Sequence, residues 1–429
     1  MNTPAPATVD LDPAGPTPAR RARAAVHSHY GRKFWFAYLA NCLIMVAITL
    51  LYRYADFVTY LGGNELDVGW IVGAGMIGSL AMRFAQGTGI DRGGVRKVWV
   101  GSLLLFIVSM VGHFVISNPR SPTIYALRIL YNTAIAGTFV ASITSVSRRL
   151  EVARMAEVIG MLGTSGFLAM ALGPTIGELL LGPPGAAGPN VYAMFGIAAA
   201  LAAASLVCVL LATTGDPLPS MSRRVPVGWL LRRYQPGAVL VVGIAVGMGV
   251  SLPATFLPTY AAGLGLKHIG TFFLIYATTA FLTRVATRPA FQRLGVTPMV
   301  FAGLTMLTVS LLSYLLVSQA WHLALPGFLA GIAHALLFPS VVASGSCYFP
   351  GRYRGLGATL MMGMFDLGTL IGAPLEGGIL HVSPRFGLPP YPTMFVTVAA
   401  LVMLAAGIYA VEQRRERNVR PASKRRRGV

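Results

Sequence analysis

Long apolar runs separated by short polar breaks make up most of this chain. Twelve runs can be separated. The first six lie at about 34–60, 68–88, 97–117, 122–146, 156–182 and 190–213. The other six lie at about 236–263, 269–290, 297–318, 322–346, 355–381 and 391–412. A helix rises 1.5 Å per residue, so about 20 apolar residues cross the hydrocarbon core of a bilayer. Within lipid no water satisfies backbone N–H and C=O groups, so runs of this length should be helices. The pattern predicts an all-α polytopic membrane protein with twelve transmembrane helices.

Composition agrees. Of the 429 residues, 55% are hydrophobic and 11% charged, with mean hydropathy +0.66. Soluble chains carry about 25% charged residues. The net charge of +20 would suit a nucleic-acid binder, but the basic residues sit in short breaks and tails, as the positive-inside bias expects. One side collects Arg20, Arg21, Arg23, Arg32, Lys33, Arg92, Arg96, Lys97, Arg148, Arg149, Arg154, Arg223, Arg224, Arg232, Arg233, Arg293, Arg352, Arg354 and the tail "QRRERNVRPASKRRRGV". The other side holds Arg120, Lys267 and Arg385. The basic side is therefore expected in the cytoplasm with both termini, which requires an even number of spans. Cys42, Cys208 and Cys347 lie far apart in or beside apolar runs and read as small buried hydrophobes.

The expected organisation has five parts. Residues 1–33 are a disordered cytoplasmic tail, 34–213 and 236–412 are six-helix bundles, 214–235 is a central cytoplasmic loop, and 413–429 is a basic cytoplasmic tail. Internal similarity supports the division. "RFAQGTGIDRGGV" from Arg83 answers "RVATRPAFQRLGV" from Arg284, an offset of 284 − 83 = 201. "RMAEVIGMLG" from Arg154 answers "RGLGATLMMG" from Arg354, an offset of 354 − 154 = 200. Parallel six-helix halves are the repeat arrangement of one large transporter class.

The loop "GTGIDRGGVRK" is similar to the loop between helices 2 and 3 of the major facilitator superfamily, whose pattern is roughly G-x-L-x-D-R-x-G-R-K. Gly87, Asp91, Arg92 and Gly94 match, and Arg96 takes the second basic place. Gly89 stands where Leu is usual, and Val95 where the first basic residue is usual. The glycines suit a tight turn, and Asp91 can accept from helix N-terminal N–H groups or pair with a nearby Arg. The resemblance implies a cytoplasmic gate that latches and releases the halves, with Arg83, Arg284 and Arg288 as further members or as snorkelling side chains. A charge cluster that only sets topology is the plainer reading. "GMLGTSGFLAMALGPTIGE" in the fifth span resembles the Gly-Pro motif frequent in exporters, with Gly173, Pro174 and Gly177 matching, Ala169 in place of a Gly and Glu178 near the motif's end. Arg128 in "RILYNTAIAG" resembles the helix-4 Arg of the family.

Ionisable residues inside spans are costly and usually face a cavity or a partner. The first, second, fourth, fifth, eighth and eleventh spans contain Arg53, Asp56, Arg83, Arg128, Glu178, Arg284, Arg288, Asp366 and Glu376. Arg53 and Asp56, at i and i+3, share a face. With Arg128, Glu178 and Glu376 they form an outer layer that suits either a salt-bridge gate or a site for substrate or protons. Its charges impose neither an anionic nor a cationic substrate. Asp366, near mid-membrane, is the sharper candidate for proton coupling, with His334 as its partner or as a second relay member. Asn41, Tyr54, Asn132 and Tyr276 are candidate cavity groups or helix–helix hydrogen bonds.

The reading is a secondary carrier working by alternating access, driven by proton antiport in export. Uptake by symport or uniport is the alternative, and a transporter-like scaffold or sensor the second. No "GxxxxGK[ST]" loop is present. No enzyme, cofactor, metal site or nucleic-acid partner is expected. The expected partners are a small molecule, protons and the bilayer, with the chain acting as a monomer in a bacterial inner membrane.

Overall fold

A computed structural model describes residues 31–147, 152–186, 188–215 and 227–425. Most of residues 1–33 and half of the central loop therefore lie outside the described residues. So do the side chains of Asp91, Arg92 and Arg288 from the expected gate, and the surroundings of its Gly87.

The spans are helices, labelled here in chain order. They are α1 (Arg32–Tyr60), α2 (Glu65–Gly93), α3 (Val95–Gly112), α4 (Pro122–Ser147), α5 (Val152–Leu181) and α6 (Val191–Ala212). After the central loop come α7 (Ala238–Gly263), α8 (Gly270–Ala286), α9 (Val296–Ser313), α10 (Ala324–Cys347), α11 (Arg354–Val382) and α12 (Pro390–Arg425). Eleven are long and apolar enough to cross a membrane, and α8 is an apolar helix of 17 residues. The run expected at 269–290 stops at Ala286 because Arg288–Leu294 forms a separate helix, with Pro289 at its start. Proline has no N–H to donate to a carbonyl one turn back in α8, and it suits the first turn of the new helix.

α12 outruns its expected end. The chain stays helical to Arg425, and Glu412 accepts a hydrogen bond from the Ala238 N–H at 2.6 Å, satisfying a free donor at the start of α7. α1 is interrupted by a 3₁₀ turn at Leu51–Arg53, beside the point where Thr49 Oγ1 donates to the Ala169 carbonyl of α5 at 2.7 Å.

The two sets of six helices meet along two main seams, α2 against α11 and α5 against α8. Glycines set the spacing of the first. A Cβ on Gly69 would strike the Ala373 carbonyl, and one on Gly73 would strike Pro374. Further along, Gly363 has only ordinary contact space, 3.7 Å from Leu80. The helices are thus tight at the Arg/Lys-poor end and looser toward the basic end. The repeat is also visible in the backbone. Gly94 and Gly295, paired by the internal alignment, both precede the third helix of their set, at φ 79° and 78°. That left-handed region favours glycine.

Candidate functional site

At the Arg/Lys-poor end, polar contacts cross between the two sets. Glu178 on α5 accepts hydrogen bonds from the Ile269 and Gly270 N–H groups, the latter at 2.6 Å, with His268 Nδ1 3.6 Å away. A carboxylate thereby caps the positive end of α8. Tyr391 on α12 donates its hydroxyl to Glu65 at 3.2 Å. Beneath lies a cavity of about 310 Å³, lined by Asp56, Asn64, Glu65, Thr259 and Tyr391 among others. Asn64 and Asp67 exchange backbone-to-side-chain bonds at 3.1 Å each, and Asp67 pairs with Arg120 at 3.0 Å.

Arg53 and Asp56 form an ion pair, as their shared face suggested. Arg53 is fully buried and also donates to the Gly182 carbonyl at 3.1 Å, while Asp56 accepts from the Gly185 N–H at 2.9 Å. Gly173 and Gly177 let α5 approach α1 closely, with Thr49 and Leu50 against the first and Arg53 against the second. The pair therefore ties α1 to the end of α5, with Asp56 also at the wall of the cavity.

Arg128 is held differently. Its guanidinium carbon lies 4.3 Å from the Tyr54 ring centroid and 4.5 Å from that of Tyr131, a double cation–π arrangement. The side chain is 7% exposed, and neither Nε nor Nη1 has a hydrogen-bond partner. Asn132 donates to the Arg128 carbonyl at 3.1 Å, and Tyr54 shares a hydrogen bond with His113 at 3.3 Å.

Deeper, Arg83 on α2 forms a forked pair with Asp366 on α11, at 2.5 and 3.3 Å, and Ser79 donates to the same carboxylate at 2.5 Å. Arg284 on α8 lies over Phe167 of α5 at 5.0 Å. Both contacts cross between the sets. His334 does not meet Asp366: its Nδ1 bonds Tyr276 Oη at 2.6 Å, and its ring stacks on Phe338, which stacks on Phe365. The Asp366–His334 pairing offered by the sequence does not form, because Asp366 is held by Arg83 and Ser79 and His334 by Tyr276. Asn41 bonds Ser165 at 2.5 Å, a helix–helix contact. Arg96 is exposed at the start of α3. Glu376 is fully buried, and neither carboxylate oxygen has a partner.

Ser79, Tyr131, Phe167, Glu65 and Asp67 were not singled out in the sequence. Two carried a readable signal, since Ser79 is four residues before Arg83 and Tyr131 three after Arg128, each on the same helix face.

A family model described as Major Facilitator Superfamily matches residues 34–295 and 239–429. The chain belongs to the major facilitator superfamily. Its relatives include a protein of Agrobacterium vitis named for tartrate transport, 26% identical over 145 residues, covering 34% of this chain and 30% of that protein. Another is a quinolone resistance transporter of Acinetobacter baumannii, 28% identical over 202 residues, covering 46% of this chain and 42% of that one. The matched segments thus span less than half the length of either relative. Among solved structures, the nucleoside transporter NupG superposes with a TM-score of 0.68 at 15% identity, covering 88% of this chain and 97% of that one. A POT family transporter in complex with a thioalcohol-conjugated peptide gives 0.71 at 12%, covering 90% and 96%. These likenesses show the major facilitator fold of about twelve helices.

Proposed function

We propose that the chain is a secondary transporter that exports a small solute in exchange for protons, by alternating access across a bacterial inner membrane. One observation carries this reading: the polar closures at the Arg/Lys-poor end join the first six helices to the last six. Glu178 with Ile269 and Gly270, and Glu65 with Tyr391, are all of this kind. Such contacts can break as two bundles rock, whereas Arg53–Asp56 stays within one bundle. The basic end faces the cytoplasm with both termini, following the positive-inside bias.

Glu376 is assigned the coupled proton. An ionised carboxylate sealed from water without a partner is costly, whereas a protonated acid loses that cost. Asp366 already has Arg83 and Ser79 as partners and is assigned to the moving latch. Export is favoured by the Gly-Pro motif of α5 and by the likeness to a quinolone resistance transporter. The relatives' named cargoes suggest a small organic solute.

Reconstitution into proteoliposomes tests the reading, with pH gradients imposed in both directions. Antiport requires solute to move against the proton flux. Uptake driven by an inward proton gradient, with no counterflow of protons during export, would replace it with symport.

A further inference from the structure

The tally of charges in the spans left the sign of the cargo open. The pairings narrow it, with the unpartnered Glu376 taken as the neutral, proton-carrying acid. Among the described residues, Arg53 is matched by Asp56 and Arg83 by Asp366. Glu178 is taken by backbone N–H groups of α8. Among the described residues, no carboxylate lies within ion-pair distance of Arg128 or of Arg284. Both cations rest on aromatic rings instead.

Arg128 is the more telling of the two. A guanidinium offers donors in a planar fork that matches a carboxylate. Buried donors without partners are rare in folded proteins and call for an explanation. Here Nε and Nη1 are sealed and unpartnered. The guanidinium lies over the rings of both Tyr54 and Tyr131, which hold it in place. On α4, Arg128 lies six residues past Pro122, about 9 Å in from the closed end. Arg284, fourteen residues past Gly270, is about 21 Å from that end. The two unpaired cations thus lie at different depths, Arg128 nearer the closed end.

We infer that Arg128 is the anchor for a carboxylate on the transported solute, so the cargo class is organic anions, with the aromatic rings of Tyr54 and Tyr131 holding the guanidinium ready. The inference rests on the transport reading only in supposing that solute reaches the bundle interior. Its test is equilibrium binding, which needs no gradient.

The purified protein in detergent is titrated with succinate and benzoate, and with succinamide and benzamide as neutral isosteres, following the thermal unfolding midpoint. The expected result is a concentration-dependent upward shift with at least one carboxylate and none with its amide. Arg128→Gln should lose that shift, and Arg128→Lys should keep a weaker one, at least tenfold higher in half-saturating concentration. Equal shifts with acid and amide, no shift with either acid at millimolar concentration, or an unchanged shift in a monodisperse Arg128→Gln variant would each overturn the assignment. The acid–amide comparison uses the unmutated protein, so a variant that fails to fold leaves the test intact. Binding with no flux in proteoliposomes would count against the transport reading alone. Proton-driven flux of amides but not acids would count against the anion site alone.

Discussion

Arg83 on α2 grips Asp366 on α11 with two nitrogens, across the boundary between the two sets of helices. Its repeat-related counterpart Arg284 crosses the same boundary in the opposite sense, from α8 to Phe167 on α5. The offset of 201 that relates the arginines, 284 − 83, nearly matches the offset of 199 that relates their partners, 366 − 167. One seam is thus closed by an ion pair and the other by a cation on a ring. A cation–π contact is worth less than a forked ion pair of equal burial, so the two seams should not open with equal ease.

Asp366→Asn should loosen the α2–α11 seam. The paired side chains are 18% and 14% exposed, so the loss should be about 2 kcal/mol, below the roughly 3–5 kcal/mol of a fully sealed pair. Arg83→Gln should behave alike, and the double variant should lose less than the two losses added, with a coupling of about 1 kcal/mol or more. Thermal unfolding of the four proteins measures this. Strict additivity would remove the latch.

The twelve helices were legible because lipid leaves the backbone no alternative to helix over a long apolar run, so length and hydropathy suffice. The early end of α8 was also readable, in the proline at position 289. The partners were not. Spacing along one helix says that Arg53 and Asp56 share a face, and that pair formed. It does not say which other helix that face meets. Asp366 therefore drew attention as a lone mid-membrane carboxylate, while its partner Arg83 was assigned to the loop latch. Glu178 was read as part of a salt-bridge gate or as a charge for substrate or protons, and its partners are backbone N–H groups, which no side-chain pattern reveals.

Glu178→Ala removes the cap of α8 and one contact between the sets. The expected cost is about 1 kcal/mol of stability, with a shift toward opening at the Arg/Lys-poor end. A cysteine introduced at Ala262, which lines the cavity there, reports the opening once Cys42, Cys208 and Cys347 are replaced by Ser. Faster labelling by a membrane-impermeant maleimide is expected in the Glu178→Ala background. An unchanged rate would make the cap a purely local feature.

Spacing along the α2–α11 seam gives a paired prediction. At Gly69 an added methyl meets the Ala373 backbone, which cannot rotate away, so Gly69→Ala should cost about 1–3 kcal/mol by overpacking. At Gly363 the nearest atoms are side-chain carbons at 3.7 and 4.0 Å, so Gly363→Ala should be near neutral or slightly stabilising through its better helix propensity. Equal effects at the two positions would mean that the seam is not tighter at the Arg/Lys-poor end.

The proton assignment is tested by Glu376→Gln. Glutamine keeps the shape of the protonated acid and adds no charge, so a site that holds the neutral form should accept it with little loss of stability. Solute exchange down its own gradient should persist, because rocking of the bundles does not need the proton to leave. Uphill movement driven by a pH gradient should disappear. Asp366→Asn should give a different pattern, lowering exchange and driven transport together, because it disturbs the seam that moves. Proteoliposomes loaded with labelled solute separate the two cases when counterflow and pH-driven flux are measured on one preparation. If Glu376→Gln retains pH-driven flux while Asp366→Asn loses only that component, the coupled proton belongs to Asp366 and Glu376 is a packing residue.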